Sequence, residues 1–397
     1  MSIPNISTRG TNLQASPLRK LAAAAEARKK KGIKVYHLNI GQPDLPTHPD
    51  VFKAIKQYSE PTLSYAPSNG LQPALEAWSV YYKKNHIPFE PEDIIITSGG
   101  SEGIIFALEA VCDPGDEVIV FEPFYTNYNS FAALANVTLK PVTLDIKNGF
   151  HLPTDAEIKK VITKKTKAIL ICNPSNPTGT IFSKQELGRL VKLAKQHGLF
   201  ILSDEVYREF AFESKCYSIM EFKEIQQQAV VLDSASKRFN VCGARVGTVA
   251  SKNKAVIAAV LKMGMARLSV ASIEQLALIP LLQNPKKYTS IMTKEFRKRR
   301  EVVYQGLKKI PNITFSKPEG AFYIIIGLPI DDADNFAAWM INEFQDHNET
   351  VLLAPAAGFY ATPGKGKKEV RLAFMLNTTA LKRSLELIKL ALAEYNS

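Results

Sequence analysis

Cysteine is scarce in this 397-residue chain. The four residues, Cys112, Cys172, Cys216 and Cys242, have neither the pairing of a disulfide framework nor the spacing of a zinc site. They read as buried structural thiols. The six histidines stand singly, so no metal centre is expected. Apolar runs long enough to span a bilayer, about eighteen residues, are missing, which excludes a membrane helix. The opening stretch Met1 to Gly10 lacks the apolar centre of a secretory signal, and a cytoplasmic location is expected. A Gly-x-Gly-x-x-Gly fingerprint is also missing, so nothing points to a nicotinamide cofactor. There is no internal repeat and no low-complexity tract.

What is present is a globular composition with 46% apolar residues and a net charge of +12. The basic runs Arg28 to Lys31 and Lys294 to Arg300 carry no helix-turn-helix, zinc finger or aromatic-studded strand beside them. They read as solvated faces, with a general attraction for anionic small molecules rather than for nucleic acid.

From about residue 90 to 250, short apolar runs alternate with amphipathic stretches. The strand candidates are Asp93–Thr97, Glu117–Phe121, Ala168–Cys172, Leu199–Ser203 and Val230–Leu232. Their β-branched, two-sided apolar character suits strands buried on both faces, and the intervening helical periods, such as Lys184 to Gln196, supply crossovers. The expected fold is α/β: a mostly parallel sheet sandwiched by helices, with a smaller α+β unit drawn from both chain ends. Boundaries near 48 and 285 divide the chain into a large unit, 48–285, and a small one, 1–47 with 286–397. In the small unit the sequence predicts a helix over Pro17 to Lys31, a strand at Tyr36–Ile40, and a long charged helix over Lys287 to Lys309. A strand at Ala321–Ile326, a helix at Asn335–Phe344, a strand at Val351–Leu353 and a last helix over Ala380–Tyr395 follow.

The most informative segment runs from Ser234 to Gly247. It places Lys237 after a hydroxyl-bearing stretch and eight residues before Arg245, which lies between Gly243 and Gly247. The segment begins where a strand runs out, and ligands of α/β sheets sit at the carboxyl ends of strands. A lysine there can form an imine with an aldehyde, while an arginine and serine hydroxyls can hold a phosphate. That combination describes the anchoring of pyridoxal phosphate. Four further pieces follow candidate strands. The turn Asn173 to Gly179 presents Asn176, and Ser203-Asp204-Glu205-Val206-Tyr207 offers a carboxylate and a phenol. Ser98-Gly99-Gly100-Ser101 opens an apolar helix whose free N–H groups suit a phosphate, and Glu122-Pro123-Phe124-Tyr125 offers a ring for stacking.

In order and spacing these motifs resemble the fold type I pyridoxal-phosphate aminotransferases of class I/II, bacterial aspartate aminotransferases in particular. The resemblance runs from Ser16-Pro17-Leu18-Arg19 and Leu38-Asn39-Ile40-Gly41-Gln42-Pro43-Asp44 to Arg371. It implies that Lys237 holds the cofactor as an internal aldimine and shuttles the proton between substrate Cα and cofactor C4′. Asp204 is then the partner of the pyridinium nitrogen, Asn176 and Tyr207 contact the ring oxygen, and Tyr125 stacks on the ring. Gly100, Ser101, Ser234, Ser236 and Arg245 would hold the phosphate. Tyr65 would reach the phosphate of a partner subunit, which implies a homodimer with shared active sites. Arg371, with Gly41 and Asn176 beside it, would bind the substrate and grip its α-carboxylate.

The chain departs from the family pattern at Pro355-Ala356-Ala357-Gly358-Phe359, where a glycine often follows the proline, and at Ser101, where some aspartate-specific members carry a lysine. Arg267 is the remaining candidate for reading a distal carboxylate. The implied activity is transfer of an amino group from an L-amino acid, aspartate foremost, to a 2-oxo acid such as 2-oxoglutarate. A C–S β-lyase, or an aminotransferase for aromatic or other neutral amino acids, would need the same anchors.

Overall fold

A computed structural model describes residues 5–14 and 16–397 of the chain. In chain order the strands are β1 (Lys34–His37), β2 (Ile94–Thr97), β3 (Glu117–Glu122), β4 (Thr138–Thr143), β5 (Thr166–Cys172), β6 (Phe200–Asp204) and β7 (Ala229–Ser234). They continue as β8 (Gly247–Ala250), β9 (Thr314–Phe315), β10 (Tyr323–Gly327), β11 (Glu349–Leu352), β12 (Ala354–Pro355) and β13 (Glu369–Ala373). Strands β2 to β8 form one sheet in the order β2-β8-β7-β6-β5-β3-β4. Only β8 runs against its neighbours; the other pairs are parallel. The mostly parallel α/β architecture expected from the apolar runs is present.

The pleat explains how this sheet is buried. Successive side chains point to opposite faces. Val118, Val120, Leu170, Leu202 and Leu232 therefore join one apolar layer, covered by the helices Gly99–Val111, Asn127–Leu134 and Lys254–Arg267. Ile119, Ile169, Ile171, Ile201 and Val231 join the other, under Gln72–Lys84, Lys184–His197 and Ser272–Gln283. Local signals set the crossovers. Helix Lys184–His197 opens with a capping box between Ser183 and Glu186 and closes on Gly198, whose φ of 64° is cheap only for glycine.

The same alternation continues at the carboxyl edge. Cys172, Asp204 and Ser234 fall two residues beyond Leu170, Leu202 and Leu232, hence on one face. Glu205 and Asp233 fall on the other, where they meet two buried arginines. Arg208 bonds Glu205 and lies 3.5 Å from Asp233, while Arg238 pairs with Asp233 and sits 4.3 Å over the Tyr81 ring. Breaking such a buried pair costs about 3–5 kcal/mol, since it strands the partner charge. This cluster ties down the short helix Ala235–Arg238, which carries Lys237.

The second set of strands comprises an antiparallel sheet, β12-β13-β10-β9, and the parallel pair β1-β11. Its apolar cluster includes Phe296, Phe322, Ile324, Phe336, Leu372 and Leu381. Boundaries differ from the sequence reading in places with a visible cause. The expected helix over Pro17–Lys31 is split into a 3-10 turn, Pro17–Arg19, and a helix, Ala22–Lys30. The Leu18 carbonyl accepts a hydrogen bond from Asn39 Nδ2 at 2.8 Å, which draws it out of helical pairing. The expected Tyr36–Ile40 strand ends at His37, because Leu38 turns to bond both Leu352 and Ala373. Strands β4 and β8 escaped the pattern: one carries Lys140 and Pro141 at a half-exposed sheet edge, the other is four residues long. Among the described residues no helix is long and apolar enough to cross a membrane.

Candidate active site

Four strands of the sheet, β2, β3, β5 and β6, end at a cavity of about 320 Å3, and β7 leads into it through Ser234. Gly100, Ser101, Tyr125, Asn176, Asp204, Tyr207, Ser234, Ser236, Lys237 and Arg245 all line it. Ten of the residues singled out from the sequence thus share one space.

One end is built for an anion. Helix Gly99–Val111 starts there, and its first N–H groups have no intrahelical acceptor. Ser234 Oγ donates to Ser236 Oγ at 2.8 Å or to the Val246 carbonyl at 3.1 Å, so both hydroxyls face the same spot. Arg245 is held in the left-handed region, φ 54°, a conformation costly for a non-glycine residue and typical of functional positions. Its guanidinium lies against Gly99, where a Cβ would collide with it. Gly247 is needed for the crossing beneath, since a Cβ there would sit 2.6 Å from the Gly99 carbonyl carbon.

The opposite end holds a carboxyl group. Asp204 is buried, accepts from the Tyr128 hydroxyl at 2.8 Å and from the Val206 N–H at 3.3 Å. Burial, its largest influence, pushes it up to about 6 despite these bonds. A carboxyl group so placed is stabilised in its ionised form by a cation brought against it.

Between the two ends lies Lys237. Its Nζ donates to the Gly41 carbonyl at 2.8 Å and lies 3.9 Å from Cys242 Sγ. Burial lowers its pKa, and the positive fields of Arg371 and Arg245 lower it further, against an opposing pull from Cys242. The neutral, nucleophilic amine is therefore easier to reach than in a solvated lysine. Gly41 must be glycine for this approach, because a Cβ would overlap the Tyr323 hydroxyl.

Arg371 reaches the cavity through its neighbours. It is buried, donates from Nη1 to Asn176 Oδ1 at 3.1 Å and from Nη2 to the Asn39 carbonyl at 2.5 Å. Its plane lies 4.5 Å over the Tyr323 ring. Nε is buried without a partner among the described residues. Asn176 Nδ2 in turn donates to the Tyr207 hydroxyl at 3.3 Å, and Tyr207 shares a hydrogen bond with Tyr323 at 3.1 Å.

Two predicted residues lie apart from the cavity of this chain. Tyr65 is 81% exposed, beside a shallow depression formed with Leu63 and residues 269–274. Arg267 lies 3.3 Å from Glu102 and donates from Nη2 to the Ile96 carbonyl at 3.2 Å, while its Nε and Nη1 are buried without a hydrogen-bond partner among the described residues. Sequence reasoning missed Tyr128, Tyr323 and Asn39. Tyr128 stands in the first turn of the helix Asn127–Leu134, three residues after Tyr125, a nearness that could have flagged it. Tyr323 read as core within an apolar strand. Cys172 and Cys242, read as structural thiols, both line the cavity.

A model of aminotransferase class I and II matches residues 33–386. The chain belongs to that family. Its members are pyridoxal-phosphate-dependent transaminases, and the chain is accordingly an aminotransferase acting on amino acids and 2-oxo acids. It is 32% identical over 388 residues to the (5-formylfuran-3-yl)methyl phosphate transaminase of Methanocaldococcus jannaschii, covering 97% of this chain and 98% of that protein. It is 31% identical over 389 residues to the aspartate aminotransferase of Thermotoga maritima, covering 97% and 98%. The solved structure of Thermus thermophilus aspartate aminotransferase with maleate superposes with a TM-score of 0.90 at 25% identity, over 98% of this chain and 100% of that one.

The aminotransferase site has the donor set its family's cofactor requires. Hydroxyls, a helix N-terminus and an arginine fit a phosphate; the buried, raised Asp204 fits a pyridinium; the buried amine of Lys237 fits an aldehyde.

Proposed function

We propose that this aminotransferase binds pyridoxal phosphate at Lys237 and takes the amino group of an acidic L-amino acid, aspartate foremost, passing it to 2-oxoglutarate or a similar 2-oxo acid. The observation that carries this reading is the convergence of a lowered-pKa lysine, a buried carboxyl group and a buried arginine with an unfilled Nε around one cavity. The names of the aspartate aminotransferases it resembles, one of them solved with the dicarboxylate maleate, support the acidic donor.

When bound, pyridoxal phosphate supplies an electron sink next to the substrate Cα. The protein's part is binding and proton transfer. Gly100, Ser101, Ser234, Ser236 and Arg245 would hold the phosphate, and Asp204, fixed by Tyr128, would keep the ring nitrogen protonated. Tyr125 would pack on the ring, while Asn176 and Tyr207 would contact its oxygen. Arg371 orients the amino acid by its α-carboxylate, because a guanidinium takes a carboxylate through two parallel hydrogen bonds. Lys237, whose proton is held less tightly than in a solvated lysine, removes the proton from Cα and returns it during the exchange. The large unit, 48–285, would carry the cofactor anchors, with Arg371 supplied by the unit of residues 1–47 and 286–397.

Single amino acids added one at a time to the cofactor-loaded enzyme test the reading. Aspartate or glutamate should convert the bound cofactor to pyridoxamine phosphate. Release of pyruvate and ammonia without a 2-oxo acid acceptor would point to a lyase instead.

Asp204 adds a pH signature. Its carboxyl group is ionised above about 6 in the cofactor-free chain, and a ring cation favours the ionised form. Cofactor affinity should then fall about tenfold per pH unit below 6 and level off above it. Asp204→Asn should remove that step, leaving only the cofactor's own titration. Fluorescence titrations from pH 5 to 8 compare the two; parallel curves would rule the role out.

The enzyme is further proposed to be a homodimer. Leu63, Tyr65, Met265 and Leu268 are each more than half exposed, at 62%, 81%, 56% and 54%. Ser272 Oγ donates to the Ser64 carbonyl at 3.3 Å, bringing the two segments together. Apolar exposure of this kind marks an interface. Sedimentation should give twice the chain mass, and Leu268→Asp should shift it toward the monomer.

A further inference from the structure

The cations around the cavity do not all have work in the reading above. Lys237 is the amine, Arg245 belongs to the anion-binding end, and Arg371 contacts Asn176. Arg267 is not part of the cavity lining; its Nη2 bonds the Ile96 carbonyl and its Nε lies 3.3 Å from Glu102. One more cation lines the same cavity: Arg19, on the turn Pro17–Arg19. Its guanidinium has no hydrogen-bond or ion-pair partner among the described residues.

The turn that carries Arg19 is held from several sides. The Leu18 carbonyl is bonded by Asn39 Nδ2 at 2.8 Å, and the Asn39 carbonyl is in turn bonded by Arg371. Pro17 abuts Gly358, where a Cβ would come within 2.6 Å of the proline ring. Upstream, Gln14 accepts from Asn129 Nδ2 at 2.9 Å, on a helix that covers the large sheet. Downstream, Lys20 pairs with Asp334 at 2.7 Å. Exposed contacts of the last two kinds contribute little individually, but the buried Asn39 link fixes the turn relative to Arg371.

A substrate with two carboxylates needs two cationic contacts, one for each end. Asp204 is the only acid lining the cavity among the described residues, and it is held by Tyr128, so nothing there neutralises Arg19. We propose that Arg19 reads the distal carboxylate of the substrate and so selects dicarboxylic amino acids and 2-oxo acids. The proposal rests on the aminotransferase reading and places side-chain selectivity within the same chain, on a residue other than Arg267.

The test compares wild type, Arg19→Gln and Arg19→Lys as cofactor-loaded enzymes. Half-reaction rates with aspartate and its neutral isostere asparagine give a selectivity ratio. Calorimetry with succinate, a dicarboxylate that cannot react, gives binding apart from turnover. The Arg19→Gln ratio should fall about 10- to 100-fold, the worth of a charge-assisted hydrogen-bonded pair, with succinate affinity weakened in step. Arg19→Lys should recover part of both, since it keeps the charge but loses the fork.

An unchanged ratio in Arg19→Gln, or a wild type that does not distinguish aspartate from asparagine, overturns the proposal. A loss of cofactor affinity that slows both substrates equally overturns it as well, by assigning Arg19 to the phosphate. If no amino acid converts the wild-type cofactor, the aminotransferase reading fails, and the succinate comparison alone decides whether Arg19 is a carboxylate site.

Discussion

Replacing Lys237 with alanine is expected to abolish covalent attachment of pyridoxal phosphate and to slow amino-group exchange by about 10^2- to 10^4-fold. The two effects have separate causes. Lys237 Nζ is the sole lysine nitrogen lining the cavity among the described residues, so the aldehyde loses its nucleophile. The same nitrogen is the base for Cα, and neither partner of Nζ can take its place. The Gly41 carbonyl is not basic, and the Cys242 thiol sits on the far side of a 3.9 Å contact with the missing amine. Borohydride treatment followed by mass spectrometry checks the attachment. A borohydride-fixed cofactor in the alanine variant, or exchange within tenfold of wild type, would sink the assignment. Helix Ala235–Arg238 should keep its place in the variant, because Arg238 and Asp233 anchor it from the opposite face.

The second large effect is expected at Arg371. Arg371→Ala should lower kcat/KM for every amino acid by about 10^2- to 10^4-fold, corresponding to loss of two charge-assisted hydrogen bonds. Three features single it out: full burial, bonds to Asn176 and the Asn39 carbonyl, and an Nε left without a partner. A buried donor without an acceptor carries a desolvation cost that an incoming carboxylate relieves. Arg371→Lys should recover about tenfold at most, since a point charge cannot reproduce the parallel pair. Because the α-carboxylate is common to all substrates, the loss should be nearly the same for aspartate and asparagine. A selective loss for aspartate alone would transfer Arg371 to the distal end and contradict its assignment. Steady-state kinetics on both substrates, with cofactor occupancy held equal, decide the matter.

Much of this enzyme follows from its sequence because the relevant signals are local. A two-residue alternation carries Leu170, Leu202 and Leu232 to one face and, two residues on, Cys172, Asp204 and Ser234 to the same face at the sheet edge. Apolar runs, turn residues and the Ser234 to Gly247 segment are enough to place the cofactor anchors at strand ends, and family likeness supplies their order. The covering helices and the parallel run of β3, β5, β6 and β7 follow from the same patterns, whereas β4 and the reversed β8 do not.

Tertiary structure alone decided the contacts between distant segments. Arg371 and Asn176 are 195 residues apart, and Asn39 links Arg371 to the turn at Leu18. No local period predicts such meetings, because they depend on how two sheets are set against each other. Ion-pair choice is likewise long-range. Arg267 and Arg19 are equally plain arginines in the sequence, yet packing sets one beside Glu102, outside the cavity lining, and places the other in the cavity wall. Local pattern thus determines which chemistry the chain can perform, and packing determines which charges remain available to choose its substrate.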